Sequence, residues 1–321
     1  MPPVRPALIA HADWGSDPRK RIVAVASLDS VTAGPRYRVE SLAAAPQDLL
    51  GDIAAQAGTG PALLGFDFVI GLPRAYAAAA GVGRFPEFLD QIGRPPWEEF
   101  EQVAGRAREV SLRRPFYPDR PGGTSREHLY AGLGLSAPAL RRRCEGRDAE
   151  ILFWTLGGKQ AGKASLHGWR LLRRARAAGG EIALWPFDGQ LGELLDGPAA
   201  LVVAETYPRE FYQYIAAPRG RWSKRRQDDR RACSPGLLAW ADALGVTWDA
   251  DVGRRVRAGF SPGPAGEDEF DAVIGVLGLI GVVTGKVGEG VPADDPVITA
   301  VEGWILGRGD VQMRPGHSSL P

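Results

Sequence analysis

The chain has 321 residues, of which 44% are hydrophobic and 24% charged, enough apolar material for a sizeable core and too much for long-range disorder. Lys plus Arg is 39 and Asp plus Glu 38, a formal net charge of +1, which excludes a globally basic nucleic-acid binder but not a local basic patch. Length alone predicts about two domains at roughly 150 residues each, or one core carrying a large insertion.

In chain order, residues 7–13 (ALIAHAD) form a short apolar run closed by a carboxylate and followed by the turn formers Gly15, Ser16 and Pro18, the pattern of a strand and then a turn. Residues 21–28 (RIVAVASL) and 37–42 (YRVESL) predict two further strands, and the Gly34-Pro35 break between them suits a hairpin. In residues 46–57, Leu49, Leu50 and Ile53 recur at helical spacing, with the proline near the first turn where its missing N–H costs least. Residues 61–70 (PALLGFDFVI) are again apolar, with Asp67 inside the run, and end at Gly71-Leu72-Pro73. The predicted order is β-β-β-α-β, the fourth strand returning beside the first through a crossover helix.

From Arg74 to about Gly180 the pattern turns helical and irregular, with helical segments such as 97–107 and 149–178 between glycine and proline clusters. Strand character resumes at 199–206, so residues 74–198 read as a helical insertion or cap within a single domain of residues 1–310. A basic segment, 219–231, follows. Residues 267–283 (EDEFDAVIGVLGLIGVV) predict a largely buried helix despite glycines that weaken helix propensity, and residues 311–321 a flexible tail. No apolar run reaches the roughly 20 residues that span a bilayer, and the amino-terminal stretch lacks a signal-peptide cleavage pattern. With only Cys144 and Cys233, which have no metal-ligand spacing, a soluble protein of the reducing cytoplasm is expected, without a membrane partner.

Acids interrupt the apolar runs at informative places. Asp13, Asp67 and Glu205 each lie at or near the carboxyl end of a predicted buried strand, and Asp268 and Asp271 sit three apart in the first turn of the last apolar helix. An ionised carboxylate there is costly unless paired or bound to a cation. Parallel neighbouring strands would bring the first three to one sheet edge, where ligands bind in open α/β folds, and the i, i+3 spacing puts Asp268 and Asp271 on nearly one helix face. Such a cluster is a hard oxygen site suited to Mg²⁺ or Mn²⁺, and two such ions can activate a water and stabilise the leaving oxygen in phosphodiester cleavage. Taken singly, each acid has a plainer role: Asp13 capping a turn, Asp268 a helix, and Glu205 pairing with an arginine.

The β-β-β-α-β opening, the strand-borne acids and the acidic last helix resemble the ribonuclease H-like superfamily. The ordered set HADWG, GFDFVIGLP, VAETYPREFY, the basic stretch Lys224 to Arg231, DEFDAVIGVLGLIG and VEGWI is similar to the predicted nucleases catalogued as domain of unknown function 429, over most of the chain. The resemblance implies an α/β fold with a mixed five-stranded sheet and metal-dependent hydrolysis of a nucleic-acid backbone. It assigns the first-strand Asp to Asp13, the fourth-strand Asp to Asp67, the Glu of an E-x-x-P element to Glu205, and the terminal-helix acid to Asp271 with Asp268 beside it. Dimeric relatives in this superfamily extend the expectation to a homodimer.

Arg219, Arg221, Lys224, Arg225, Arg226, Arg230 and Arg231 form a dense positive cluster around Trp222. Beside the carboxylates, Arg221, Lys224, Arg225 and Arg226 would hold phosphates while Trp222 stacks on a base; the competing reading is a solvated helix face neutralised by Asp228 and Asp229. In a second cluster, Arg141 to Arg143, nothing ties the charges to the acids. Lys159, Gln160 and Lys163 lack the Walker spacing, which argues against a nucleotide triphosphatase there. His11 alternates onto the face of Asp13, either to touch the metal site or to sit hydrogen-bonded in the core. His128, His167 and His317 form no ligand set, which disfavours a zinc site or a histidine-centred hydrolase. The nine tryptophans are expected to pack the core and insertion. Two rivals to a nuclease remain: a nucleotide-binding or small-molecule phosphotransferase protein on the actin-like fold, because DWGS resembles a phosphate-holding turn, and a non-catalytic scaffold whose acids are structural.

Overall fold

The opening apolar run is β1 (Leu8–Asp13), at the centre of the sheet. It pairs antiparallel with β2 (Ile22–Val31), which continues antiparallel into β3 (Gly34–Ala44). Helix α1 (Leu49–Ala57) is N-capped by Asp48, whose side chain accepts from the Gly51 N–H, and it buries Leu49, Leu50 and Ile53. That crossover returns the chain as β4 (Ala62–Phe66), parallel to β1. The computed structural model describes residues 5–31, 34–146, 149–157, 161–215 and 222–309. The tail at 311–321, and Lys159, Gln160, Arg219 and Arg221, lie outside the described residues.

The insertion contributes α2 (Arg74–Ala80), α3 (Phe85–Gln91), α4 (Arg126–Leu133) and α5 (Ala161–Ala177), then β5 (Ile182–Leu184) and α6 (Leu191–Asp196). The chain re-enters the sheet as β6 (Leu201–Glu205), parallel to β4. After a 3-10 segment at Pro208–Tyr214 come α7 (Gln227–Ala243), β7 (Thr247–Trp248), α8 (Ala250–Arg257) and α9 (Pro264–Val283). The result is an α/β protein with a mixed seven-stranded sheet in the order β5-β6-β4-β1-β2-β3-β7.

The expected five strands are all present, and two more extend the sheet. Three-residue β5 pairs with β6 and two-residue β7 with β3; runs this short show too little alternation to be read from sequence. Because β5 lies within 74–198, that stretch is not wholly helical. The helix expected at 97–107 is also replaced by turns: the Ala104 N–H donates to the Phe116 carbonyl and the Asp119 N–H to the Ala104 carbonyl, so the segment's backbone is paired across space. Among the described residues of 149–178, only Ala161–Ala177 is helical.

Strand alternation sends Leu8, Ala10 and Ala12 of β1 to one face, packed with α1 and the insertion, and Ile9 to the other, under α7, α8 and α9. On the insertion face an aromatic cluster does the packing, with Phe88 edge-on to Trp97 and to Phe100, both at 4.8 Å between ring centroids. On the other face α9 is buried continuously from Glu269 to Val282. Its glycines, a liability for helix propensity, allow close approach: a Cβ on Gly278 would lie 2.2 Å from the Phe211 ring and one on Gly275 2.2 Å from the His11 ring. Among the described residues no helix is long and apolar enough to cross a membrane, and both cysteines are buried free thiols.

Gly275 therefore yields a prediction against propensity. Alanine favours a helix by about 1 kcal/mol over glycine, while overpacking a core costs about 1–3 kcal/mol. Gly275→Ala is expected to lower the urea midpoint, and combining it with His11→Ala should recover part of that loss in a double-mutant cycle. A Gly275→Ala protein at or above the wild-type midpoint contradicts this packing.

Candidate functional site

The register of the central strands makes the site. Ala12 of β1 pairs with Phe66 of β4, so the next residues, Asp13 and Asp67, leave the two parallel strands side by side on the α9 face. The Trp14 N–H donates to Asp67 Oδ1 at 2.6 Å and anchors it. The Asp13 carboxyl lies within hydrogen-bonding range of Asp67 and of Asp268, and Asp271 completes the group from one turn along α9. Burial, then the charge and hydrogen bond of Asp67, then Asp271 and Asp268, hold the Asp13 carboxyl well above the usual carboxylate range. Burial also pushes Asp268 up to about 6, with Glu267 and Asp271 adding to the effect. Four acids are thus crowded beyond what the local counter-charge offsets.

One counter-charge is present. Lys224 Nζ bonds Asp271 and approaches Glu267 at 3.1 Å, while the Tyr212 hydroxyl donates to Asp271 Oδ1 at 2.5 Å. Burial still leaves the Asp271 carboxyl raised, against the opposing pull of Lys224 and Tyr212. His11 lies under this edge, fully buried, with neither ring nitrogen hydrogen-bonded. Burial lowers it to about 4, against the pull of the Asp67 charge, so it is neutral. It sits in the core as expected, but without the hydrogen bond.

Glu205 does not join the other acids. It pairs with Phe66, whose side chain packs on the insertion face, and alternation turns Glu205 to that same face, away from Asp67. There Arg142 grips it bidentately, Nη1 to Oε2 at 2.7 Å and Nη2 to Oε1 at 2.6 Å. The Ile70 N–H donates to the same carboxylate at 2.7 Å. Arg142 is only 2% exposed and also bonds Glu145 and the Glu302 carbonyl. The expectation that Glu205 completes a metal shell is corrected to the plainer one, an arginine pair. The cluster Arg141 to Arg143 is tied to an acid after all, through Arg142.

The basic segment is mostly neutralised. Trp222 packs against Tyr212 and Phe270, which removes it as a free base-stacking platform. Lys224 points inward at the acids, and Arg226 and Arg231 pair with Asp229 and Asp228. Arg230 is fully buried and donates to the backbone carbonyls of Gly259, Lys224 and Ser261. Arg225 is the most exposed of the described cations here, 3.9 Å from Glu267. Sequence reading missed Tyr212 and Arg142, because partners 59 and 63 residues from their acids leave no local pattern.

No family model, no characterised protein and no solved structure matches the chain. Its own fold and site define it: an α/β protein whose mixed sheet gathers Asp13, Asp67, Asp268 and Asp271 at the carboxyl edge of its two central strands. As these side chains stand, no three acidic, histidine or cysteine groups among the described residues form a ready ion cage.

Proposed function

We propose that the protein is a divalent-metal-dependent nuclease of ribonuclease H-like architecture, hydrolysing phosphodiester bonds at this edge. The observation that carries the reading is the side-by-side exit of Asp13 and Asp67 from parallel strands, faced by two acids of the last helix. The succession β1-β2-β3-α1-β4, with β6 beyond β4, supports the architecture.

The donor set fits Mg²⁺ or Mn²⁺ in chemistry: every group is a hard carboxylate oxygen, and the raised Asp13 and Asp268 carboxyls mark a pocket short of positive charge. Asp13, Asp67 and Asp268 would hold the ion, with Asp271 joining on release from Lys224; Glu205 is committed to Arg142. When bound, a divalent ion neutralises the carboxylates and activates a water for attack on phosphorus. The chain's own residues prepare the site. The Trp14 N–H orients Asp67, Tyr212 and Lys224 hold Asp271, and Asp13 and Asp268 would release their protons to solvent as a cation binds. Lys224, released from Asp271, would meet a phosphate oxygen as a point charge.

Labelled single-stranded, duplex and branched oligonucleotides incubated with the full chain should be cut in millimolar Mg²⁺ or Mn²⁺. Cutting should stop with EDTA and fall to background in Asp67→Asn. The absence of both cleavage and any metal-induced rise in Tm sinks the proposal.

A further inference from the structure

Asp67 leaves β4 into a segment, residues 67–73, that belongs to no helix or strand, so its buried backbone polar groups need partners from elsewhere. Other parts of the chain supply them. Trp169 Nε1 of α5 donates to the Val69 carbonyl at 2.7 Å. The Ile70 N–H donates to Glu205 Oε2 at 2.7 Å, and the Ile70 carbonyl accepts from Arg142 Nη1 at 3.4 Å. The Leu72 N–H donates to the Val301 carbonyl at 2.8 Å. Between these two residues the chain passes so close to the Glu302 carbonyl that a Cβ on Gly71 would fall 2.0 Å from its oxygen, and the Gly71 φ of +139° suits glycine alone.

Both polar groups of Ile70 are thus held by the two members of one ion pair. Arg142 enters from the insertion and bonds Glu205 at the end of β6, the Ile70 carbonyl after β4 and the Glu302 carbonyl near the end of the described chain. A guanidinium forked onto a carboxylate is a planar unit of fixed geometry, and it fixes where Ile70 sits, three residues beyond Asp67. The pair acts from the insertion face, opposite the acids. On the acid face Asp67 is anchored by the Trp14 N–H. Apolar residues of similar volume would hold the fold as well as a buried ion pair does, but they would offer Ile70 neither an acceptor nor a donor.

We infer that Arg142 and Glu205 are positioning residues for the acidic edge: by clamping Ile70 from the insertion face they set the backbone that presents Asp67, and the edge depends on them for its affinity for a divalent cation although neither touches the ion. The metal rests on the nuclease reading; the clamp on Asp67 does not. The insertion then completes the site from behind, through a contact on the far side of the sheet.

The test uses the full chain and two variants. Arg142→Met with Glu205→Leu removes both the donor and the acceptor that hold Ile70. Arg142→Lys keeps the buried charge but loses the fork, since one ammonium cannot match the guanidinium geometry, and it carries the test if the double variant does not fold. Circular dichroism and Tm check folding. Mn²⁺ affinity, read from the electron paramagnetic resonance signal of the free ion, should fall about tenfold in the double variant, the usual cost of losing a group that orients a metal ligand, and by a smaller factor in Arg142→Lys. Without metal, the backbone amide resonance of Trp14, whose acceptor is Asp67, should move in both variants of protein carrying isotope-labelled tryptophan. Wild-type Mn²⁺ affinity in the folded variants overturns the inference and leaves the nuclease standing. Lost affinity in the double variant, with an unmoved Trp14 amide and Arg142→Lys binding as wild type does, makes Glu205 a ligand and overturns it too. If the Trp14 amide moves but Mn²⁺ binds none of the proteins, wild type included, the clamp on Asp67 is supported. That result overturns the metal as what the clamp serves, and the nuclease reading with it.

Discussion

Arg142→Met is expected to destabilise the protein by about 3–5 kcal/mol, the cost of stranding one member of a buried ion pair. A typical domain has only about 5–15 kcal/mol in all, so the variant should be largely unfolded by moderate denaturant. The size of the effect follows from what Arg142 leaves behind. Glu205 is 5% exposed, and without the guanidinium it would retain only the Ile70 N–H. Burial already raises its carboxyl, against the pull of Arg142. Replacing both partners, as Arg142→Met with Glu205→Leu, removes the stranded charge and should restore much of the loss. Urea denaturation of the two variants measures the difference. If Mn²⁺ instead restores Arg142→Met to wild-type stability, Glu205 is a metal ligand and its assignment as a structural pair is wrong.

Asp13→Asn should act in the opposite direction on stability while removing the response to metal. The folded-state carboxyls of Asp13 and Asp268 lie above their ordinary values. The native state therefore binds protons more tightly than the unfolded chain, and stability falls as pH rises. The contribution is fully present below the unfolded value of about 4. It is lost as pH climbs through about 6 for Asp268 and through the raised value of Asp13. Above that window the wild type carries the full repulsion, so Asp13→Asn should be the more stable protein near pH 8 and show a flatter pH profile. Divalent metal should supply the missing counter-charge to the wild type, about 2.7 kcal/mol at a hundredfold excess over Kd, and little to the variant. Thermal denaturation from pH 4 to 8, with and without Mg²⁺ or Mn²⁺, reads both effects. A variant less stable than wild type at pH 8, or one that keeps the metal response, contradicts the cluster.

The order of the main elements was legible in the linear chain because it rests on local patterns. Apolar alternation marks β1, β2 and β4, helical spacing marks α1 and α9, and glycine and proline mark the breaks between them. The positions of Asp13 and Asp67 at strand exits, and of Asp268 and Asp271 one turn apart, are of the same kind, since an acid after an apolar run is visible without knowing its neighbours. Which acids meet was decided in three dimensions. A one-residue difference in register sends Glu205 to the opposite face of the sheet from Asp67, where Arg142 of the insertion takes it. Lys224 is the partner of Asp271 for a related reason: a buried carboxylate takes whichever cation the packing delivers. Local pattern sets period and boundary, whereas charge pairing depends on face and through-space distance, which only the assembled layers determine.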